Sequence, residues 1–316
     1  MRKAFKYRLY PTNEQEQALA ETLNTHRHLY NRALAERKAA CEERQESVSY
    51  GDQSAHLKIE RATNTYLAAT NFSSCQATLR RLDKAFQAFF RRRKSGEATG
   101  YPRFKGQNRF DTVEFPAYGD GCKVDGALVY FQHIGRVKIK LHRPVEGTIK
   151  TVSFKREADG WHVVFSCELP DVAVAPSQMP TTGIDLGLKV FLVTADGCEI
   201  APPRFYRKAQ AALRRSQRAI ARKQKASNRR KKAVKLLAKQ HLHVANQRRN
   251  FHHQIARQLT SQYGMIAHEA LNVQGIAQSR LAKSTYDVGW GQFITILHSK
   301  AAGAGVQVIA VPPANT

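Results

Sequence analysis

The feature that most constrains this chain is a stretch of 69 residues, 200–268, that contains no aspartate or glutamate. Lysines and arginines recur throughout it. Ordinary solvated helices mix both signs of charge, because opposite charges three or four residues apart stabilise a helix. A helical segment of one sign repels itself unless an anionic partner neutralises it. The stretch therefore predicts a surface that binds a polyanion.

The overall charge agrees with that prediction. The 316 residues have a net charge of +26 and a pI near 10.2, which favours a nucleic acid as partner and leaves DNA, RNA and a hybrid open. A membrane surface also attracts cations, but the chain has neither a run of 18 apolar residues nor a signal peptide. We therefore expect no membrane partner and a cytoplasmic, bacterial-type location, at the nucleoid when DNA is bound.

The spacing of the cysteines argues against a zinc ribbon and against a disulfide-stabilised fold. They are isolated and form no C-x-x-C pair, so neither a zinc ribbon nor a disulfide framework is expected. No Zn²⁺ site is predicted within this chain. The five are Cys41, Cys75, Cys122, Cys167 and Cys198.

Two apolar, strand-like runs flank the acid-free stretch, and each delivers one carboxylate. Asp185 lies between the glycines of Gly183–Gly187, and Glu269 ends the run Met265–Glu269. An acid within a strand needs a cation or a partner, and open α/β sheets bind ligands at the carboxyl ends of their strands. The pair suits Mg²⁺ or Mn²⁺, since Mg²⁺ uses one or two carboxylates and takes its other ligands from phosphates and waters. A turn aspartate is the alternative for Asp185, and His268 is interpreted as a structural neighbour.

Hydrophobic periodicity divides the chain into zones. Residues 1–11 predict a half-buried strand, and residues 12–94 a helical module. From about 101 to 170 the period changes to two, which predicts an antiparallel barrel or small sheet, with the first strand as a candidate to complete it. A proline-containing linker, 171–180, precedes alternating strands and helices over 181–316, which predict an α/β sheet domain.

Basic side chains on the predicted helices are the candidate nucleic-acid ligands. The motif Gly100–Lys105 mixes aromatic rings with Arg103 and Lys105 and can stack on bases or contact a backbone, or it is a buried turn. Asp287 is interpreted as the N-cap of the helix that follows it, in preference to a metal ligand. The helical candidates are Arg80, Arg81, Lys84, Arg214, Arg215, Arg218, Arg222, Lys223, Arg229, Arg230, Lys231 and Lys232.

Six motifs occur in one order along nearly the whole chain. They are Lys6–Thr12, Arg27–Asn31, Tyr101–Lys105, Gly183–Gly187, Glu269–Leu271 and Gly289–Phe293. Together they resemble the TnpB family, the RNA-guided nucleases of bacterial insertion sequences that are also called OrfB-type transposases. Each motif alone is a weak signal, and their shared order makes the resemblance specific.

The resemblance implies a multidomain α+β fold. A helical recognition lobe, 12–94, is inserted in a wedge-like β-barrel formed by 1–11 and 95–172, and a RuvC-type, ribonuclease H-like domain follows at 181–316. The implied partners are a guide RNA and double-stranded target DNA, with the protein a monomer on RNA.

The resemblance also assigns roles to residues. The family's first two nuclease carboxylates match Asp185 and Glu269, which implies catalysis with Mg²⁺ or Mn²⁺ bound there. The helix near Gln76 corresponds to the part that reads a short DNA motif beside the target.

The chain departs from the family pattern in two places. In the family a four-cysteine zinc ribbon and a segment with the third catalytic aspartate follow the position of Pro312–Pro313, and the 316 residues include neither. Ala270 follows Glu269 where relatives often have aspartate. We therefore expect impaired cleavage. Three interpretations stay open: a weak guided nuclease, a nuclease-dead RNA-guided DNA-binding protein, and a gene fragment without a function of its own.

Overall fold

The computed structural model describes residues 1–107, 109–172 and 178–312. Most of the predicted linker, residues 173–177, lies outside the described residues. The same is true of the last part of the predicted nuclease domain, residues 313–316.

The chain divides into two compact units. The N-terminal unit is Arg2–Leu169, and the C-terminal unit is Pro170–Thr316 together with Met1. Each unit combines one sheet with helices, so the chain is an α+β protein. In the described part of the chain, no helix is long and apolar enough to cross a membrane.

The sheet of the N-terminal unit is antiparallel and has the order β2-β6-β7-β1-β5-β4-β3. Its strands are β1 (Arg2–Tyr10), β2 (Thr112–Phe115), β3 (Cys122–Asp125), β4 (Leu128–Phe131), β5 (Gly135–Lys140), β6 (Thr148–Glu157) and β7 (Gly160–Glu168). In β1 the alternating Phe5, Tyr7 and Leu9 are buried, as the period of two predicts. Among the described residues no strand ladder joins the edge strands β2 and β3. Closure into a barrel therefore stays a prediction.

Four helices complete the N-terminal unit: α1 (Asn13–Arg44), α2 (Tyr50–Thr63), α3 (Thr65–Ala68) and α4 (Phe72–Lys94). A capping box starts α1: the Thr12 side chain accepts the N–H of Gln15, and the Gln15 side chain accepts the N–H of Thr12. The predicted apolar stripe of α4 is buried as far as Phe86. Phe90, which the helical period places in that stripe, is 57% exposed, because the last turn of α4 extends past the core.

The C-terminal unit contains a mixed sheet of the order β10-β9-β8-β11-β12. Strands β8, β11 and β12 are parallel, and β9 and β10 are antiparallel to their neighbours. The strands are β8 (Thr181–Asp185), β9 (Leu192–Thr194), β10 (Glu199–Ile200), β11 (Met265–Glu269) and β12 (Gln307–Val311). The helices are α5 (Phe205–Ala221), α6 (Asn228–Gln262), α7 (Val273–Ile276), α8 (Ala282–Val288) and α9 (Trp290–Ala304).

Candidate acidic site and nucleic-acid surface

Asp185 and Glu269 end two neighbouring parallel strands of the C-terminal sheet. Strand β8 pairs with β11, with Ile184 opposite His268. Asp185 and Glu269 are the next residues on their strands, so they stand side by side at the carboxyl ends. Ligands of open α/β sheets bind at this edge. The structure thus brings the two predicted carboxylates together.

Both carboxylates lie on the face of the sheet that is turned away from the hydrophobic core. Side chains alternate between the two faces of a strand, and Ile184 and Ile266 are buried in one core with side chains of α6 and α9. Asp185 is exposed and Glu269 is half-buried. Gly183, on the same face as Asp185, has open space where a Cβ would lie. A large ligand can therefore approach this face.

The second glycine of the motif has a different role. A Cβ on Gly187 would lie 2.8 Å from the carbonyl oxygen of Val190, which is too close for any other residue without a backbone shift. The N–H of Gly187 donates to the carbonyl oxygen of Phe191. Gly187 therefore permits the tight turn that leads from Asp185 into β9. Of the two glycines, only Gly183 fits the predicted close approach of a ligand.

The chemistry of the two carboxylates fits a hard divalent cation. Neither side chain has an ion-pair or hydrogen-bond partner among the described residues, so their oxygens are available. Mg²⁺ prefers oxygen ligands and commonly uses one or two carboxylates plus waters and phosphate. Within the described chain no third Asp, Glu, His or Cys completes a cluster with this pair. The site therefore supplies two protein ligands.

His268 points to the opposite face of the sheet. Its Nδ1 lies 2.9 Å from the carbonyl oxygen of Glu269, and its Nε2 lies 3.3 Å from Nε2 of His298 on α9. With Nδ1 donating to the carbonyl, the His298 ring donates to the other nitrogen. Burial and then the neighbouring His268 lower the pKa of His298, which keeps it neutral. His268 is a structural neighbour, as the sequence predicts.

Asp287 caps a helix, although not the predicted one. The residue before α9 is Gly289, and Asp287 itself lies within α8. Its carboxylate accepts the backbone N–H groups of Tyr206 and Arg207 in the first turn of α5, at 2.8 and 3.1 Å. The prediction that Asp287 caps the following helix is wrong, because a local pattern does not show which distant helix will pack beside a side chain.

Helices α5 and α6 carry the acid-free surface. Of the described residues 205–247, only Leu213 and Val244 are buried. Arg230 is half-buried and donates from its guanidinium to the carbonyl oxygen of Ile220, which joins the two helices. Lys223 is half-buried as well. The other predicted ligands are exposed: Arg214, Arg215, Arg218, Arg222, Arg229, Lys231 and Lys232.

The start of α6 concentrates charge of the unfavourable sign. Helix α6 begins at Asn228, and the Ser227 side chain accepts the N–H of Arg230 as its cap. Arg229 and Lys231 therefore lie in the first turn, where the helix dipole already presents positive charge, and Lys232 follows directly after it. Cations there destabilise the isolated helix by a few tenths of a kcal/mol each, of the order known for charges at helix ends. An anion bound at this end would interact favourably with both the helix dipole and these cations.

A second basic surface lies on α4. Arg80, Arg81 and Lys84 line a cleft of about 390 Å³ between α4 and β2, together with Glu114. The Arg81 guanidinium lies 4.9 Å above the ring of Phe110, which fixes its direction. Lys84 is exposed. Three of the predicted ligands thus share one cleft.

The fourth predicted ligand on α4, Gln76, supports a neighbouring helix. Its amide donates to the hydroxyl of Ser54 on α2 at 3.0 Å. Arg80 donates to the hydroxyl of Tyr50 at 3.0 Å and lies 5.4 Å above that ring. The sequence did not identify Tyr50 as a partner of Arg80, because that contact depends on the packing of α2 against α4.

Two of the motifs that carry the family resemblance meet in the N-terminal unit. The amide of Asn31 on α1 donates to the carbonyl oxygen of Lys105 at 2.9 Å and accepts the N–H of Lys105 at 2.7 Å. The Lys105 ammonium lies 5.6 Å above the ring of Tyr30. Lys105 therefore anchors the loop to α1, as in the buried-turn interpretation, whereas Arg103 is exposed.

Comparison with known families agrees with these motifs. The OrfB_IS605 family model, described as "Probable transposase", matches residues 164–280. The HTH_OrfB_IS605 model, described as "Helix-turn-helix domain", matches residues 1–46. In this chain the latter segment forms strand β1 and the single long helix α1.

Two curated relatives cover almost the whole chain. The "Putative RNA-guided DNA endonuclease InsQ" of Escherichia coli (strain K12) is 28% identical over 333 residues, 99% of this chain and 81% of the relative. The "Putative RNA-guided DNA endonuclease" of Streptomyces pristinaespiralis is 30% identical over 318 residues, 98% of this chain and 77% of the relative. The chain belongs to the TnpB family of OrfB-type insertion-sequence proteins.

A solved structure shares the fold. A chain of the "Cryo-EM structure of the Cas12f1-sgRNA-target DNA complex" matches with a TM-score of 0.56 and 14% sequence identity. The match covers 96% of this chain and 74% of that chain. At this identity the likeness concerns the α+β fold.

Proposed function

We propose that this chain is an RNA-guided DNA-binding protein with a metal-dependent nuclease site at Asp185 and Glu269. The observation that carries the proposal is the placement of the two acids at neighbouring strand ends, on the open face of the sheet. The two curated relatives, each named "Putative RNA-guided DNA endonuclease", support it.

The proposal assigns a task to each part of the chain. Residues 181–316 act as a RuvC-type, ribonuclease H-like domain, with the basic surface of α5 and α6 on guide RNA. Residues 1–11 and 95–172 form the wedge domain. Residues 12–94 form the recognition lobe, in which the cleft beside α4 contacts double-stranded DNA. Base pairing with the guide supplies the sequence specificity, while protein side chains hold the backbone.

The acidic site binds and orients the phosphodiester. Asp185 and Glu269 would hold Mg²⁺ or Mn²⁺, and the ion would activate water and stabilise the developing charge on the phosphodiester oxygens. The open space beside Gly183 leaves room for a nucleic-acid backbone. His268, on the other face, contacts His298 of α9 and takes no part in the chemistry.

A second candidate is guided binding without efficient cleavage, and the two-ligand site favours it. Two other acids of the unit are committed elsewhere: Asp287 caps α5, and Asp196 accepts hydrogen bonds from the hydroxyls of Thr194 and Tyr263. Losing one transition-state interaction of this kind costs about 10²–10³-fold in rate. We therefore expect the 316-residue chain to bind guided targets well and to cut them weakly or not at all.

The test uses the purified 316-residue chain with the RNA that co-purifies with it. Mn²⁺ binding is measured by electron paramagnetic resonance, and cleavage with a labelled duplex that matches the RNA. We expect Asp185→Asn and Glu269→Gln to abolish specific Mn²⁺ binding. Glu199→Gln removes an exposed acid of the same unit and serves as the matched control, with Mn²⁺ binding unchanged.

The outcomes separate the candidates. Mn²⁺ binding that survives both substitutions would overturn the metal site. A preparation that carries no RNA and has negligible nucleic-acid affinity at low salt would overturn guided binding. Robust guided cleavage that Asp185→Asn abolishes would favour the full nuclease over the binding protein.

A further inference from the structure

The C-terminal end of α4 carries an exposed group of aromatic rings. Phe90 is 57% exposed, Phe104 52% and Tyr101 37%, and Phe89 is half-buried beside them. We call these four residues the aromatic patch. Phenylalanine is normally among the buried residue types, so a cluster with this exposure is unusual for a surface that only faces water.

The patch is preorganised by contacts between its own rings. Phe89 lies 5.2 Å from Phe90 and 5.4 Å from Tyr101, both edge-to-face. Phe86, which is buried, lies 5.3 Å from Tyr101 and anchors the group to the core. The loop that carries Tyr101 and Phe104 is clamped at Lys105 by Asn31. Phe90 turns one face toward Phe86, with ring centres 6.2 Å apart, and 57% of the residue stays exposed. These ring contacts fix the positions of the aromatic side chains.

Cations surround the patch. The Lys38 ammonium lies 5.8 Å from the ring centre of Tyr101 and 6.0 Å from that of Phe104. Arg91–Lys94 form the exposed last turn of α4, and Arg103 is exposed within the loop. Glu42 lies 3.9 Å from Lys38, and Glu97 follows α4, so the acids nearby are fewer than the cations. The charge is complementary to a polyanion.

We propose that the aromatic patch binds unstacked bases of a single-stranded nucleic acid while the surrounding cations contact its phosphates. This inference rests on the proposed function and adds a second contact surface to it. Every base has a π-face, so stacking on exposed rings recognises any sequence, whereas bases within a duplex are already stacked. An apolar protein partner would not need the six cations Lys38, Arg91, Arg92, Arg93, Lys94 and Arg103.

The experiment measures binding of short single strands to the full chain at low salt. The probes are an RNA and a DNA of one sequence that contains 2-aminopurine, and a duplex of the same sequence. The variants are Phe90→Ala and Phe104→Ala, with Phe90→Leu and Phe104→Leu retaining apolar bulk without a π-face. Tyr66→Ala, which removes a 76% exposed ring on α3, is the matched control.

We expect a single strand to quench 2-aminopurine on wild-type protein. Each alanine variant should weaken single-strand binding by about 5- to 100-fold, the range for one lost base stack. The leucine variants should lose most of the same affinity, and the Tyr66→Ala protein should bind as wild type does. Duplex binding should change less than single-strand binding. The RNA and DNA arms show which of the two the patch prefers.

Several results would overturn the inference. Leucine variants that bind as tightly as wild type would show an apolar contact without base stacking, as at a protein-docking surface. Equal losses for single strand and duplex would show a purely electrostatic effect. If the wild-type protein binds the single strand and the alanine variants bind it equally well, the role of the aromatic patch is wrong while the proposed function stands. If the wild-type protein binds none of the probes, both the proposed function and the role of the patch are wrong. Thermal unfolding of each variant confirms that the fold is intact.

Discussion

The two units of this protein use their charged residues in opposite ways. In the N-terminal unit, cations pair with acids: Lys6 with Glu157 at 2.5 Å, and Lys150 with Glu168 at 2.8 Å, among others. Residues 170–316 contain 22 lysines and arginines but six acids. Within helices α5 and α6, whose residues are all described, no lysine or arginine takes part in an ion pair.

The difference distinguishes cations that the protein's own acids neutralise from cations that a bound anion is expected to neutralise. Paired surface ions contribute little to stability but cancel one another's field. Unpaired cations on two weakly packed helices repel each other, and the repulsion is relieved when phosphates displace their counterions. The paired charge of the N-terminal unit is therefore structural, whereas the charge on α5 and α6, like the unpaired cations of α4, is available for binding.

The largest expected effect comes from removing unpaired cations at the start of α6. The triple variant Arg229→Gln, Lys231→Gln and Lys232→Gln spares Arg230, which joins α5 to α6. Each lost phosphate contact lowers the slope of log affinity against log salt by about 0.7 for a single strand. Three contacts together predict a loss of about 10²-fold in RNA affinity at low salt. Fluorescence anisotropy over a salt series measures both quantities.

A triple variant of paired cations provides the control for that measurement. Lys3, Lys6 and Lys150 each lie within 2.8 Å of a glutamate oxygen in the N-terminal unit. Their replacement by glutamine should change the salt slope much less, because acids already neutralise them. If both triple variants flatten the slope equally, the contrast between the units is wrong.

The next effect is on stability and concerns the best-buried cation of the N-terminal unit. Arg37 is 8% exposed, donates to Gln53 and Asp83, and lies 5.1 Å above the ring of Phe86. Arg37→Leu leaves those acceptors unpaired and should lower the free energy of unfolding by about 2–3 kcal/mol. The loss is smaller than for a fully buried ion pair, because Asp83 is partly exposed to solvent. Arg218→Leu, on the exposed surface of α5, should cause no measurable loss in urea unfolding.

Much of the fold follows from periodicity, because burial of one face imposes a local pattern. The alternation in β1 and the capping box at Thr12 predict their elements correctly. The end of the α4 stripe is not predictable in this way. Phe86 and Phe90 have the same helical spacing, and only the position of the core decides that one is buried and the other exposed.

The candidate site shows the same limit. The strand pattern identifies Asp185 and Glu269, and parallel pairing of β8 and β11 follows from an α/β arrangement. The partner of Asp287 does not follow, since α5 lies about 80 residues away in the chain. Sequence patterns report a residue's own element, whereas its distant partner is set by tertiary packing.

A third prediction concerns a property that the units share. His26 in α1 and His252 in α6 are fully buried, and burial lowers the pKa of each to about 4. The unfolded chain binds a proton on each below its ordinary pKa near 6.5, while the folded chain does not until near pH 4. Stability is therefore full above pH 6.5 and falls as the pH drops from 6.5 to 4.

The expected loss is about 2 kcal/mol per histidine between pH 7 and pH 5. Urea unfolding at both pH values measures it, with His26→Gln and His252→Gln as the variants. Each substitution should reduce the difference in unfolding free energy between pH 7 and pH 5 by the contribution of its histidine. This holds even if the substitution also changes the unfolding free energy at pH 7. A variant that keeps the wild-type difference between pH 7 and pH 5 would show that its histidine is already protonated in the folded protein.

The smallest predicted effect tests how α5, with its unpaired cations, is held in place. Its N-cap residue, Arg204, has a left-handed backbone and makes no side-chain cap. Asp287 supplies the missing cap from α8, and its negative charge also interacts favourably with the N-terminal end of α5 and with the cations there. Asp287→Ala should destabilise α5 by about 1 kcal/mol, the usual value of an N-cap, and Asp287→Asn by less, since it keeps one acceptor. Faster hydrogen exchange at Tyr206 and Arg207 would report the loss. Mn²⁺ binding should stay unchanged, because the carboxylate serves α5, and a loss of Mn²⁺ binding would instead make Asp287 a third ligand of the acidic site.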